Sequence, residues 1–203
     1  MRTIIQDTSM FTRRRAHIVK CAGDLFARKG FENVTVDDIA EACEMSKGNI
    51  YNYVAKKEDI LYLVCIYRIS EFLRSCNALF KGIQKLNPTD ALRRAMHSYY
   101  KMMDDTKEIV LFLFQQIRNL KVRQRRSILY REMKMVAAFE NLLKKGEKLG
   151  EFEVRDARIV ANNIMVLGQM WVFRSWALRH NISIQDYIEQ QTTLILKSIS
   201  PQR

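Results

Sequence analysis

Apolar residues recur along this chain at helical spacing and almost nowhere at the alternating spacing of a strand. Ile18, Cys21, Ala22, Leu25 and Phe26 fall at i, i+3, i+4, i+7 and i+8, which predicts a first helix over Thr12 to Lys29, stopped by Gly30. Residues 1–11 lie ahead of that stripe and read as an arm. Two short helices follow, Val36 to Cys43 and Lys47 to Val54, and then a long one from Lys57 to Lys85. Asn87-Pro88 is a start signal, a capping amide followed by a proline at the first helical position. It opens a helix to Met103, and further helices are predicted over Lys107 to Asn119 and Val122 to Lys148. Gly146 reads as a soft spot in the seventh helix, Gly150 ends it, and GEFE is a linker. An eighth helix is predicted from Asp156 to Arg179 and a ninth, capped by Ser183, from Ile184 to Ile199. The fold class is all-α.

The most informative stretch is residues 34–61, VTVDDIAEACEMSKGNIYNYVAKKEDIL. Thr35 can cap the second helix with Asp38 three residues on, and Ser46 can cap the third. Only Glu44-Met45-Ser46 separate the two. Ile39, Cys43, Met45, Ile50 and Val54 give one apolar seam that closes the pair. Lys47, Gly48, Asn49, Tyr51, Asn52 and Tyr53 are left outside it. Amides can pair with base edges, and phenols and ammonium groups can hold phosphates, so this surface suits a DNA groove. Lys47, Asn49, Asn52 and Tyr53 are expected in the major groove. Thr35, Tyr51 and Lys57 are expected on phosphates, with Arg14, Val36 and Gly48 beside them.

These residues resemble the DNA-binding domain of the TetR/AcrR family of bacterial transcriptional regulators. The likeness runs from RAHIVKCAGDLFARKGF through DDIAEAC and SKGNIYNY to KKEDIL, about a third of the chain. It departs at Glu44, where the family usually has glycine. A turn that reverses a helix favours a left-handed residue there, at a cost of about 1 kcal/mol to a side chain. The resemblance implies two domains: a helix-turn-helix domain over 1–57, with the arm at 1–11, and a ligand-binding and dimerisation domain over 58–203. It also implies a homodimer through helices eight and nine.

Composition adds limits. The net charge of +12 favours a polyanionic partner, yet residues 1–57 carry only +3 of it, so charge alone does not locate the DNA-reading unit. No run of about 18 uncharged apolar residues occurs and no secretory leader is evident, so a cytoplasmic location without a membrane partner is expected. The four cysteines form no CxxC pair and read as buried thiols. His17, His97 and His180 are scattered and none is read as standing beside a cysteine or a carboxylate at ligand spacing, so no metal site is expected. No nucleophile–base pair or phosphate-binding glycine loop is seen; the chain is not read as an enzyme, and no cofactor is expected.

Helix eight is apolar nearly all round, which calls for burial against a second copy. Wall positions for an effector are Phe72, Cys76, Tyr100, Met103, Phe112, Met133, Met170 and Trp171, with Gln116, Asn163 and Arg174 as polar contacts; ordinary core packing is the competing reading for each. The run from Arg118 to Lys134 holds seven basic residues and one acid, and reads either as a solvated face or as the rim of a site for an anionic head group. The expected function is a ligand-responsive dimeric regulator, a repressor released from a pseudo-palindromic double-stranded operator by an apolar or acyl effector such as a fatty acid or an acyl-CoA. Two alternatives stand beside it: a multidrug or aromatic-compound sensor of the same family, and an architectural DNA-binding protein without a small ligand.

Overall fold

The computed structural model describes residues 2–83, 85–178 and 180–201; within them, the side chains of residues 2–9, 72, 76, 77 and 79 lie outside the description. Among the described residues, ten α-helices and one 3-10 turn make up the regular structure, with no strand. They are α1 (Arg2–Lys29), α2 (Val36–Ala42), α3 (Lys47–Tyr51), α4 (Lys57–Gly82), α5 (Pro88–Asp105), α6 (Lys107–Gln116), α7 (Val122–Lys148), α8 (Ala157–Phe173), α9 (Ser175–Leu178) and α10 (Ile184–Ser198). The 3-10 turn is Ile117–Asn119.

The chain packs as two units. The first holds residues 1–70 and 112–128, the second 71–111 and 129–203. In the first, Ile18, Ala22, Leu25 and Phe26 of α1 are buried with Ile39, Cys43, Ile50 and Val54, and with Ile60, Leu61 and Val64 of α4. Phe112 belongs to this core as well and stacks on Phe26 at 6.5 Å between ring centroids. In the second unit α5 packs against α8 and α10. Its core is Tyr99, Tyr100, Phe139, Ile164, Trp171 and Tyr187 with their aliphatic neighbours.

The predicted caps form. The Thr35 hydroxyl accepts from the Asp38 N–H, and Asp38 accepts in return from the Thr35 N–H. Ser46 accepts from the Asn49 N–H, Asn87 from the Asp90 N–H, and Ser183 and Asp186 form a second capping box. Each such cap contributes about 1 kcal/mol.

Several expectations change. α1 starts at Arg2 rather than Thr12, because nothing before Gly23 breaks a helix and the apolar stripe marks only where burial begins. α3 ends at Tyr51, three residues earlier than expected, with Asn52 as its C-cap. The eighth helix is interrupted at Arg174 and resumes as the one-turn α9. Gly146 is not a soft spot: a Cβ there would lie 2.0 Å from Cδ2 of Phe152, so the glycine lets that ring lie against α7. Gly168 has the same role in α8, where a Cβ would come within 2.5 Å of the Tyr99 ring.

Candidate DNA interface and effector core

The turn between α2 and α3 sets the attitude of α3. Cys43 caps α2, and Glu44 follows with φ +54°. The Met45 N–H bonds the Ala40 carbonyl at 2.9 Å and the Glu44 N–H bonds the Glu41 carbonyl at 3.0 Å. This is the Schellman pattern, in which a left-handed residue satisfies the last carbonyls of a helix. Glu44 adopts that conformation despite its side chain, so the missing glycine does not alter the turn.

Ile50 anchors α3 in the core, while Lys47, Gly48, Tyr51 and Asn52 are exposed and Asn49 is partly so. Nothing stands within 4 Å of a Cβ built on Gly48, leaving open space on that face. Arg14 is exposed on α1 and Val36 half-buried at the start of α2.

Several of these side chains already have protein partners. The Lys47 ammonium pairs with Asp37 at 2.7 Å, which raises its pKa. Tyr53 is half-buried and packs against Phe11, the ring centroids 5.0 Å apart and the rings tilted by 36°, a contact that the sequence pattern did not show. Thr35 donates its hydroxyl to Asp38 at 2.6 Å, so its expected phosphate contact would require opening the cap. That bond is the first cause of a lowered Asp38 pKa. Lys57 donates to the carbonyls of Phe31 and Val34, each at 3.0 Å, and lies over the Phe31 ring. Two of its three donors therefore tie α4 to the α1–α2 loop.

The expected effector residues divide. Tyr100, Met103 and Trp171 are buried together in the second core. Tyr187, which the sequence reading did not single out, bridges them, 6.0 Å from Tyr100 and 5.0 Å from Trp171 between ring centroids. The Trp171 indole donates to Asp104 at 3.0 Å. The Tyr100 hydroxyl is fully buried and meets no hydrogen-bond partner among the described residues; burial pushes its pKa up. The Thr192 hydroxyl is likewise buried without a partner among the described residues.

Other expectations do not join this group. Phe112 and Gln116 lie in the first unit; Phe112 packs on Phe26, and Gln116 accepts from Asn119 at 2.9 Å. Met133 and Asn163 are exposed and Met170 is half-buried. Arg174 is exposed, its guanidinium 4.8 Å from the Trp176 ring centroid. The side chains of Phe72 and Cys76 lie outside the described residues. Gln169, one of the polar residues inside the apolar eighth helix, donates to Glu132 at 2.6 Å, which is the ordinary solution for a half-buried amide. The basic run is mostly exposed, and its Arg118–Arg126 part belongs to the first unit.

One cluster contradicts the sequence reading of the histidines. His17, Cys21 and Cys43 present ligand atoms that all lie within 4.8 Å of one another.

Two helices joined at a Schellman turn, the second held by Ser46 and Ile50 and exposing an amide-rich face, define a helix-turn-helix DNA-binding protein. The profile of bacterial regulatory proteins of the tetR family matches residues 18–62, and that of the tetracyclin repressor-like C-terminal domain matches residues 85–197. The chain belongs to the TetR family of transcriptional regulators.

HbdR of Aromatoleum sp. (strain CIB), an HTH-type transcriptional regulator, is 21% identical over 197 residues, covering 97% of this chain and 85% of that protein. Among solved structures, AibR in complex with isovaleryl coenzyme A and operator DNA aligns with a TM-score of 0.70 at 20% identity, over 89% of this chain and 97% of that one. The fatty acid degradation regulator FadR from Bacillus halodurans aligns with a TM-score of 0.69 at 18% identity, over 90% and 94%. No helix among the described residues is long and apolar enough to cross a membrane.

Proposed function

We propose that this regulator binds a pseudo-palindromic operator as a homodimer and is released from it by an apolar acyl effector, a fatty acid or an acyl-CoA. The exposed face of α3 carries the DNA part of this reading. Asn49 and Lys47 read base edges in the major groove, and Tyr51 and Arg14 hold phosphates. Lys47 must exchange Asp37 for a base or phosphate as it docks. The Asp37 carboxylate therefore competes with DNA for the Lys47 ammonium.

The dimer is formed by α8 and α10. Ile159, Asn163 and Val166 lie at i, i+4 and i+7 on α8 and are exposed, as is Leu194 on α10. A stripe of this kind is buried in a two-fold contact of like helices.

The effector reading rests on the Tyr100 hydroxyl, a donor sealed in an aromatic core beside Tyr187. A buried hydroxyl without a partner costs about 1–3 kcal/mol, and a ligand oxygen there would recover it. That relatives of this fold include a complex with isovaleryl coenzyme A and a fatty acid degradation regulator supports an acyl class. α4 contributes residues to both units, so a displacement of its C-terminal part by a ligand can be felt along the same helix. Such a ligand acts only through its preference for one arrangement, and a tenfold loss of DNA affinity needs about 1.4 kcal/mol of it.

The test is a panel of fatty acids and acyl-CoAs of graded length in an operator-release assay with the unmodified chain and Tyr100→Phe. Release by one acyl class, weakened in Tyr100→Phe, supports the reading. Release only by hydrophobic cations or planar aromatics would replace it with a drug-sensor role, and release by nothing would leave a ligand-free DNA-binding protein.

A further inference from the structure

We propose that His17, Cys21 and Cys43 form a thiophilic metal site that takes Zn2+ and fastens α1 to the end of α2. His17 and Cys21 stand one helical turn apart on α1, a spacing that puts both side chains on one face. Cys43, the C-cap of α2, reaches the same point from the other side. The three ligand atoms lie within 4.8 Å of one another.

The distances suit an ion. Zn–S and Zn–N bonds of about 2.3 and 2.05 Å set sulfur and nitrogen about 3.6 Å apart in a tetrahedron and about 3.8 Å apart in a trigonal plane. Cys21 Sγ lies 3.9 Å from Nδ1 and 3.8 Å from Nε2 of His17. The ring is also oriented. In the tautomer whose Nε2–H donates to the Cys43 carbonyl, 3.3 Å away, Nδ1 is left to bind. A histidine ligand whose other nitrogen is held by a backbone carbonyl is the usual arrangement at such sites.

Exposure fits both entry and retention: His17 is exposed, Cys21 partly so, and Cys43 is buried at 3%. Two thiols and an imidazole give a soft donor set that selects Zn2+ over Mg2+ or Ca2+. On binding, each thiol releases its proton to solvent, so two thiolates neutralise the dication. The fourth position is open to water. Because Cys43 immediately precedes Glu44, the ion would brace the turn that carries α3.

The experiment uses the full chain, metal-stripped and kept reduced with a phosphine. Co2+ is titrated as a spectroscopic probe and then displaced with Zn2+. One equivalent per chain should give a thiolate-to-cobalt charge-transfer band, and saturating Zn2+ should raise the melting temperature by about 5 °C or more. Cys21→Ser, at a position that is not buried, should keep the fold by circular dichroism and lose both the band and the rise. His17→Ala should weaken Co2+ binding at least tenfold, and Cys65→Ala should leave both readouts unchanged. A wild-type chain with no band, a band that survives Cys21→Ser, or one lost in Cys65→Ala would overturn the proposal.

Discussion

Glu44 offers the sharpest test of the physical account of the DNA-reading unit, because it supplies the left-handed residue of the turn between the two helices. It sits at φ +54°, where an L side chain is penalised by about 1–2 kcal/mol. Replacing it with glycine removes that penalty. The gain is offset by about 0.4–1 kcal/mol of extra freedom in the unfolded chain. A further few tenths come from removing a carboxylate at the negative end of the α2 dipole. Alanine isolates the last part, since it keeps the Cβ and loses the charge. Glu44→Gly should therefore exceed Glu44→Ala by about 0.5–1 kcal/mol in unfolding free energy. With a urea dependence of about 2 kcal/mol per molar, the midpoints should differ by about 0.25–0.5 M. The backbone already has the geometry glycine prefers, so DNA affinity should change little. Equal midpoints for the two variants would show that the left-handed turn carries no such penalty, and a lower midpoint for glycine would show that the Glu44 side chain supports the turn.

Gly168→Ala and Gly146→Ala should each destabilise the second unit by about 1–3 kcal/mol in thermal unfolding, since a methyl must displace the Tyr99 or Phe152 ring. Lys57→Met keeps the aliphatic stem over Phe31 but leaves two carbonyls without their donor; chemical unfolding should show a loss of about 1.5–3 kcal/mol, in addition to any loss of DNA binding. Val166→Glu puts a charge in the exposed α8 stripe and should yield monomers by sedimentation at micromolar concentration, with stability of the fold unchanged within about 0.5 kcal/mol. The Asp38 carboxyl is held below its ordinary value of 3.8 by its bonds to Thr35. The stability it contributes is present above that value and fades as pH falls through the lowered one, so Asp38→Asn should destabilise at pH 7 and converge with the unmodified chain in strong acid.

Features that depend on one residue and its near neighbours were legible in the sequence. Thr35 with Asp38, Ser46, Asn87-Pro88 and Ser183 all cap as read, because a cap needs only a side-chain oxygen and a free N–H within three residues. The seam from Ile39 to Val54 was legible because burial follows helical period. What periodicity cannot give is a partner distant in sequence. Lys57 looks like a surface cation until the carbonyls of Phe31 and Val34 appear beneath it. Gly146 reads as a weak point until Phe152 returns against it. Phe112 and Gln116, counted with the effector domain by sequence order, pack in the first unit. The His17–Cys21 spacing was visible in the sequence; the third ligand, Cys43, comes from another helix and is found only once α1 and α2 meet. α1 begins at Arg2, ten residues before the expected Thr12, because a stretch without glycine or proline continues a helix silently.

The central claim is that α3 reads a two-fold DNA sequence. The most direct measurement is selection of bound duplexes from a random pool by the unmodified chain and by Asn49→Ala. The account predicts an enriched inverted repeat whose half-sites are about one helical turn apart, bound well above random DNA, with the preference relaxed at one symmetric pair of positions in Asn49→Ala and a loss there of about 1–3 kcal/mol. A pool that emerges without any enriched repeat, or the same repeat and affinity from both proteins, would contradict it.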